Sequence, residues 1–300
     1  MFRSVDVLLS ADFIDRLNTY DEDFCWQYKI RLDNLNDDLK LIDADYEKIN
    51  VSDFEFKVIT DNDEKKRAIE FIKRHEWLGN ITQYTTHYFG AYYKDILSGV
   101  ILMSVPNAFS KLLGDDTHKL ERLISRGACI SWSPSGLASA LVMWSVRWMV
   151  KNTEFRLFTA YSDPTAKELG TIYQACNFYY LGNNAGTTTR YINPYTGKIV
   201  SDRFFRQKSA YKKYAQELNI EWEKEWTSKN GMCWDNIPDE IELKLREHSK
   251  LVQRSSEKIV MPSKHKYAYV LGASKSETKL LRKTFEQRNK TYPYPKERGV

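Results

Sequence analysis

The sequence predicts an α/β (α+β) fold: a mixed, mostly antiparallel central sheet flanked by helices, with helical additions at both ends of the chain. Three observations predict it. Between residues 54 and 209, alternating or aliphatic runs trade places with runs of helical period, in the order β-α-β-β-β-α-β-α-β-β. Hairpin-linked strands come first and β-α-β units follow. Of the 300 residues, 42% are hydrophobic and 14% aromatic, enough to cover both faces of such a sheet.

Residues 1–50 read as a helical extension in which DVLLSADFIDRLN and LNDDLKLID are short amphipathic pieces. FEFKVIT (54–60) alternates like a strand. Asp61 or Asn62 can cap the following helix, which carries Ala68, Phe71, Ile72 and Trp77 on one side and stops at Gly79. HYFGAYYKDILSGVILMSVP (87–106) holds two strand-like runs about a Lys-Asp turn, the second ended by Pro106. HKLERLISRGACI (118–130) is a strand and SWSPSG (131–136) a loop. In LASALVMWSVRWMVKN the residues Leu137, Leu141, Trp144 and Trp148 line one helical face. FRLFTAYSD (155–163) is a strand, Pro164 starts the helix TAKELGTIYQACN, and FYYLG is again a strand. TTTRYINP with GKIVSDRFF suggests a terminal β pair. Residues 210–260 look helical, and 262–300 look basic and partly tail-like.

The net charge of +5 conceals a polarity. Residues 1–64 carry 7 Lys and Arg against 17 Asp and Glu, residues 65–195 carry 15 against 9, and residues 196–300 carry 23 against 14. A basic body suits a polyanion or a phosphate-bearing cofactor. We therefore divide the chain into an acidic extension (1–53), a catalytic domain (54–209) and a helical, basic C-terminal region (210–300). No run approaches eighteen apolar residues, so no membrane partner is expected. Cys25, Cys129, Cys176 and Cys233 form no C-x-x-C pair, which fits a reducing, cytoplasmic setting.

The order of elements resembles that of the acyl-CoA N-acyltransferase (GNAT-like) superfamily, whose cofactor pyrophosphate sits where a strand-loop junction opens into a helix. There the first amides lack intrahelical partners and the helix dipole is positive. Here that junction is SWSPSGLASAL. Ser133, Ser135 and Gly136 let phosphates approach, Pro134 stiffens the loop, and Arg122 and Arg126 precede it. Asp163 ends a strand at the sheet's opening, where it can also cap the next helix. Tyr173, ten residues on, can protonate a departing thiolate. His87 with Asp163 can form a proton relay or a sparse metal site.

The strings SRGA, SPSGLASAL, AYSDP and GTIYQACNFYYLG, over roughly residues 85–195, resemble the Mom family of phage DNA-modification proteins; KHKY (264–267) also looks like a family feature. The resemblance implies an enzyme that converts adenine in double-stranded DNA to its N6-carbamoylmethyl (methylcarbamoyl) form, protecting DNA from host restriction, in the host cytoplasm. It implies acetyl-CoA or a related acyl-CoA as cofactor. It carries over an Arg, a Ser, an Asp and a Tyr, which map to Arg122, Ser135 or Ser139, Asp163 and Tyr173, and an iron site for which His87 and Asp163 are the pair.

A base in duplex DNA must be extruded to be reached. Tyr88, Phe89, Tyr92, Tyr93, Tyr179 and Tyr180 are candidates to stack on it, and Arg203, Arg206, Lys208, Lys212 and Lys213 form the densest cluster for phosphates. A homodimer is a further expectation. Two other functions fit the same residues. One is an acetyl-CoA-dependent N-acyltransferase for a protein, a small amine or an aminated base. The other is a non-enzymatic DNA-binding anti-restriction protein.

Overall fold

The computed structural model describes residues 25–82, 84–185, 189–229 and 231–296. The alternating run becomes strand β1 (Phe54–Val58), and Asp61 Oδ1 caps helix α2 (Asn62–His75) by accepting from the amides of Asp63 and Glu64. The predicted hairpin is β2 (Thr85–Tyr93) and β3 (Ile96–Ser104), with Lys94 in the left-handed region at its turn. β4 (Glu121–Cys129), helix α3 (Leu137–Asn152) and β5 (Leu157–Ser162) follow as predicted. Helix α1 (Trp26–Leu39) precedes them all. The stretch 6–18 lies outside the described residues.

These strands join β6 (Tyr179–Tyr180) and β12 (His265–Val270) in one seven-stranded sheet of order β1-β2-β3-β4-β5-β12-β6. Every neighbouring pair is antiparallel except β4 and β5, which are parallel. The fold is thus the expected mixed, mostly antiparallel sheet flanked by helices. Leu137, Leu141, Val146 and Met149 of α3 are buried on one face, and Ala68, Phe71 and Ile72 of α2 on the other. Helix α7 (Lys275–Arg288) covers the β12 side, its buried Phe285 packed at a tilt against Tyr179 with ring centroids 4.7 Å apart.

Three expectations change. The helix expected after Pro164 is broken into a 3-10 turn (Pro164–Ala166) and the short α4 (Thr171–Ala175). Lys167 (φ 55°) and Gly170 (φ 66°) are left-handed, which an α-helix does not accommodate. A Cβ at Gly170 would stand 2.5 Å from Tyr267 Cε2, so only glycine fits that bend. The two strands expected at the end of the catalytic domain do pair, as β7 (Thr189–Ile192) and β8 (Ile199–Val200), but in a separate three-stranded sheet with β11 (Lys258–Val260), while β9 (Thr227–Ser228) and β10 (Gly231–Met232) pair with each other. Within the basic C-terminal stretch, residues 265–270 and 275–288 are β12 and α7 rather than tail.

Residues 1–185 and 263–300 form one unit, and 186–262 form a second. The second unit has its own core of Tyr211, Tyr214 and Ala215 from α5 (Lys208–Glu217) and Leu245 from α6 (Asp239–Ser255). In the first unit, Ala185 and Lys264 exchange backbone hydrogen bonds of 3.2 and 2.7 Å, so the chain leaves and re-enters at adjacent rungs. Among the described residues, no helix is long and apolar enough to cross a membrane.

Candidate active site

The pairing of β4 with β5 runs only from Glu121↔Leu157 to Ile124↔Ala160. At that point β4 carries a bulge against β3: Leu102 pairs with Arg126 and Met103 with Ile124, leaving Ser125 as the extra residue. Beyond it β4 stays on β3, while β5 continues to Ser162 without pairing to β4. The sheet therefore splits. The amide of Ile130 donates to Ser98 on the β3 side. By strand alternation, the peptide groups of Gly127 and Cys129 face the split instead. Gly127 is exposed although it lies within a central strand.

Side chains from four segments converge on this opening. Asp163, just past β5, accepts from the Lys264 ammonium at 2.8 Å through Oδ2, and from Thr165 N and Oγ1 through Oδ1. Burial pushes its carboxyl up, and Lys264 with Thr165 more than reverses that, holding it below the usual range. Glu168 accepts from the Asp163 amide at 3.3 Å through Oε2; its Oε1 has no partner among the described residues. Burial, with the Glu76 and Asp163 carboxylates nearby, lifts Glu168 from 4.5 to about 7. Glu76, at the C-terminus of α2, accepts from the amides of Leu78 and Gly79 and lies 3.9 Å from Arg126 Nε; burial raises it too. Arg126 also donates to Asn80 O at 2.6 Å and to the Asn80 side chain.

Tyr173, on α4, packs its ring against Phe178 and Tyr267 at 5.4 and 5.5 Å. Its hydroxyl has no hydrogen-bond partner among the described residues. Burial, then the charges of Glu168 and Glu76, hold the phenol protonated well above its ordinary range. Arg126, which the sequence reading assigned to the phosphate loop, instead lies near Tyr173 with Glu76 and Glu168. Glu168, Glu76 and Lys264 join them unforeseen. A KHKY string and a carboxyl five residues after Asp163 were visible, but nothing in the spacing tied them together.

The head of α3 is the second part of the site. Its N-cap, Gly136, has φ 92° and offers no side-chain cap. The amides of Ala138 and Ser139 have no protein partner among the described residues. Ser135 and Gly136 are exposed, so these donors stand at an open surface. Ser139 Oγ turns back to Gly136 O at 3.0 Å. Ser133 is buried, and its carbonyl and hydroxyl both accept from Arg31, which removes them from a ligand-binding role.

Other expected residues are placed elsewhere. Arg122 lies on the portion of β4 still paired to β5; its guanidinium stacks 3.6 Å over Phe155 and donates to Glu121 O. His87 is on β2 among Phe89, Trp148 and Phe155, and burial, then Arg122, lowers its pKa. β2 and β5 are separated by β3 and β4, a span of about 14 Å at sheet spacing. The structure therefore does not bring His87 to Asp163. Among the described residues, no three His, Cys, Asp or Glu side chains group as metal ligands, so the residues present do not fit the expected iron.

Four of the proposed stacking residues are already engaged. Phe89 is fully buried, Tyr92 bonds Glu64, Tyr179 bonds Glu286 and Tyr180 bonds His265. The five basic residues lie in the second unit. Arg206 pairs with Asp202, Lys208 donates to Ser228 O, and Lys213 sits 3.4 Å over Tyr195; Arg203 and Lys212 are exposed.

The family model described as Mom protein family matches residues 55–296, well over half of the chain. No curated protein matches. Similar solved structures include an acetyltransferase of Bacillus subtilis in complex with CoA, at 10% identity over 73% of this chain and 99% of that one, TM-score 0.35. A GNAT family acetyltransferase from Elizabethkingia anophelis with acetyl-CoA bound matches at 11% over 73% and 99%, TM-score 0.32. An N-acetyltransferase from Staphylococcus aureus matches at 16% over 44% and 85%, TM-score 0.32.

Proposed function

We propose, from the premise that this chain belongs to the Mom protein family, that it is a transferase that modifies adenine at N6 in double-stranded DNA with an acyl-CoA as donor. The observation that carries the reading is the convergence on one split in the sheet of an unpartnered phenol, Tyr173, and a carboxyl with a free oxygen, Glu168, beside unpaired strand-edge peptides.

The chain's own groups suit such a donor. The amides of Ala138 and Ser139 would receive its pyrophosphate. The peptide groups of Gly127 and Cys129 would pair with the amides of its extended arm, as a further strand would. When bound, the donor supplies an activated carbonyl carbon and a sulfur leaving group. Glu168 Oε1 takes a proton from the acceptor nitrogen, and the Tyr173 hydroxyl gives one at the leaving side. Lys264 and Thr165 hold Asp163, whose amide in turn fixes Glu168.

Adenine N6 is a weak nucleophile, because its lone pair is delocalised into the ring. Removing its proton as it attacks is what Glu168 would contribute. The family product carries a methylene between N6 and the carbonyl carbon, and none of these side chains supplies the step that makes that bond.

The test is mass spectrometry of nucleosides from DNA of cells expressing the wild type, Tyr173→Phe and Asp163→Ala. A new adenine adduct is expected with the wild type and not with either variant. Undiminished adduct in both variants rejects the site. Unmodified DNA alongside CoA turnover in the purified wild type assigns the chain instead to N-acyl transfer on another amine.

A further inference from the structure

Helix α1 precedes the family-matched region, which begins at residue 55, yet it is built into the loop that leads to α3. Arg31 Nη2 donates to Ser131 O at 2.8 Å, to Ser133 O at 3.3 Å and to Ser133 Oγ at 3.4 Å. Asp38, fully buried, accepts from Ser131 N at 3.1 Å through Oδ2 and from Arg74 at 2.9 Å through Oδ1. Its carbonyl accepts from Trp132 Nε1 at 3.1 Å. Residues 131–133 are therefore gripped by α1 along both their donors and their acceptors. Pro134, Ser135 and Gly136 then lead to the head of α3 with Gly136 in its left-handed conformation, and their carbonyl bonds are to α3 rather than to α1: Pro134 O accepts from Leu137 N and Gly136 O from Ala140 N.

The grip has an electrostatic consequence. A carbonyl oxygen turned toward an anion repels it, whereas an amide attracts it. Arg31 collects two carbonyls and a hydroxyl of this loop on the side of α1. The unpaired amides of Ala138 and Ser139 stand at the open surface. The guanidinium also leaves a permanent positive charge beside the loop, and its Nε and Nη1 have no partner among the described residues.

We propose that Arg31 is a positioning residue for the pyrophosphate of a CoA-type donor: a helix outside the family core sets the loop so that its amides, and not its carbonyls, meet the phosphates. The proposal rests on the acyl-CoA reading above.

The test compares two probes on the full chain, CoA by calorimetry and pantetheine, which lacks the phosphates, by NMR titration. Losing a charge-assisted network of this kind weakens binding roughly ten- to hundredfold. Arg31→Ala is expected to lose CoA affinity by that factor and to bind pantetheine as the wild type does. Lys29→Ala, on the exposed face of the same helix, is expected to change neither. Equal losses for both probes would show a merely structural role and overturn the proposal, as would unchanged CoA binding. If Arg31→Ala does not fold, Arg31→Met decides: it keeps the length of the side chain but neither the charge nor the donors, so CoA affinity must still fall and pantetheine affinity must not. A wild type that binds neither probe removes the acyl-CoA reading and this proposal with it.

Discussion

Replacing Glu168 by Gln removes the charge from the one carboxyl of the cluster that lacks an ionic partner, while keeping its size and an acceptor for the Asp163 amide. Folding lifts this group from 4.5 to about 7. Its folded-state pKa is the higher one, so the native state holds a proton that the unfolded chain has released between those pH values. Stability is present below about 4.5 and is lost as pH rises through 7. At about 1.4 kcal/mol per pH unit, the ceiling on that loss is about 3 kcal/mol. Gln carries no such penalty. The variant and the wild type should therefore be nearly equal in urea unfolding at pH 4.5, with the variant more stable by up to about 3 kcal/mol at pH 8.5. The comparison must be between proteins at each pH, because His75 works in the opposite direction through almost the same window. A stability difference that is the same at both pH values would refute the placement of Glu168 in a buried, carboxylate-rich site.

Burial, opposed by Asp38, lowers His75 from 6.5 to about 4, so it folds neutral; stability is lost as pH falls through that interval, by at most about 3 kcal/mol. His75→Gln should flatten the acid limb of the unfolding profile, and an unchanged limb would exclude this assignment. Gly170→Ala forces a Cβ to 2.5 Å from Tyr267 and keeps a left-handed φ, at a cost of roughly 2–4 kcal/mol in urea unfolding. Asp38→Ala strands the buried Ser131 amide and unpairs the half-exposed Arg74, and should destabilise by about 1–3 kcal/mol in urea unfolding. Joining Ala185 to Lys264 by a short turn in place of the second unit should leave the first unit folded, by far-UV circular dichroism and cooperative unfolding.

Elements with long, clean periodicity were legible in the sequence: the Lys94-Asp95 hairpin, the α3 stripe of Leu137 and Leu141, and the strand ending at Asp163. Local conformation misled at residues 165–170, where a helical pattern conceals two left-handed residues. HKYAYV went unplaced because its pairing partner, Leu157–Ser162, lies about a hundred residues earlier. Asp163 and Tyr173 could be named from the sequence because they share one local string. Glu76, Glu168 and Arg31 could not, because what matters in each is proximity created by the sheet and by α1. His87 was paired with Asp163 on ligand chemistry and on the family resemblance, with no shared local string to place the two, and two intervening strands separate them.

The excursion between Ala185 and Lys264 also sets an order of events at the ribosome. Strand β5 is finished by residue 162, but its partner β12 ends only at residue 270. At 5–20 residues per second, the nascent chain waits roughly 5–20 s with that edge of β5 bare. An uncovered edge is where strands of other chains add. During that interval the first unit depends on the later-made segment to protect it, and a chain stalled or cleaved within residues 186–262 would keep its sheet open to aggregation.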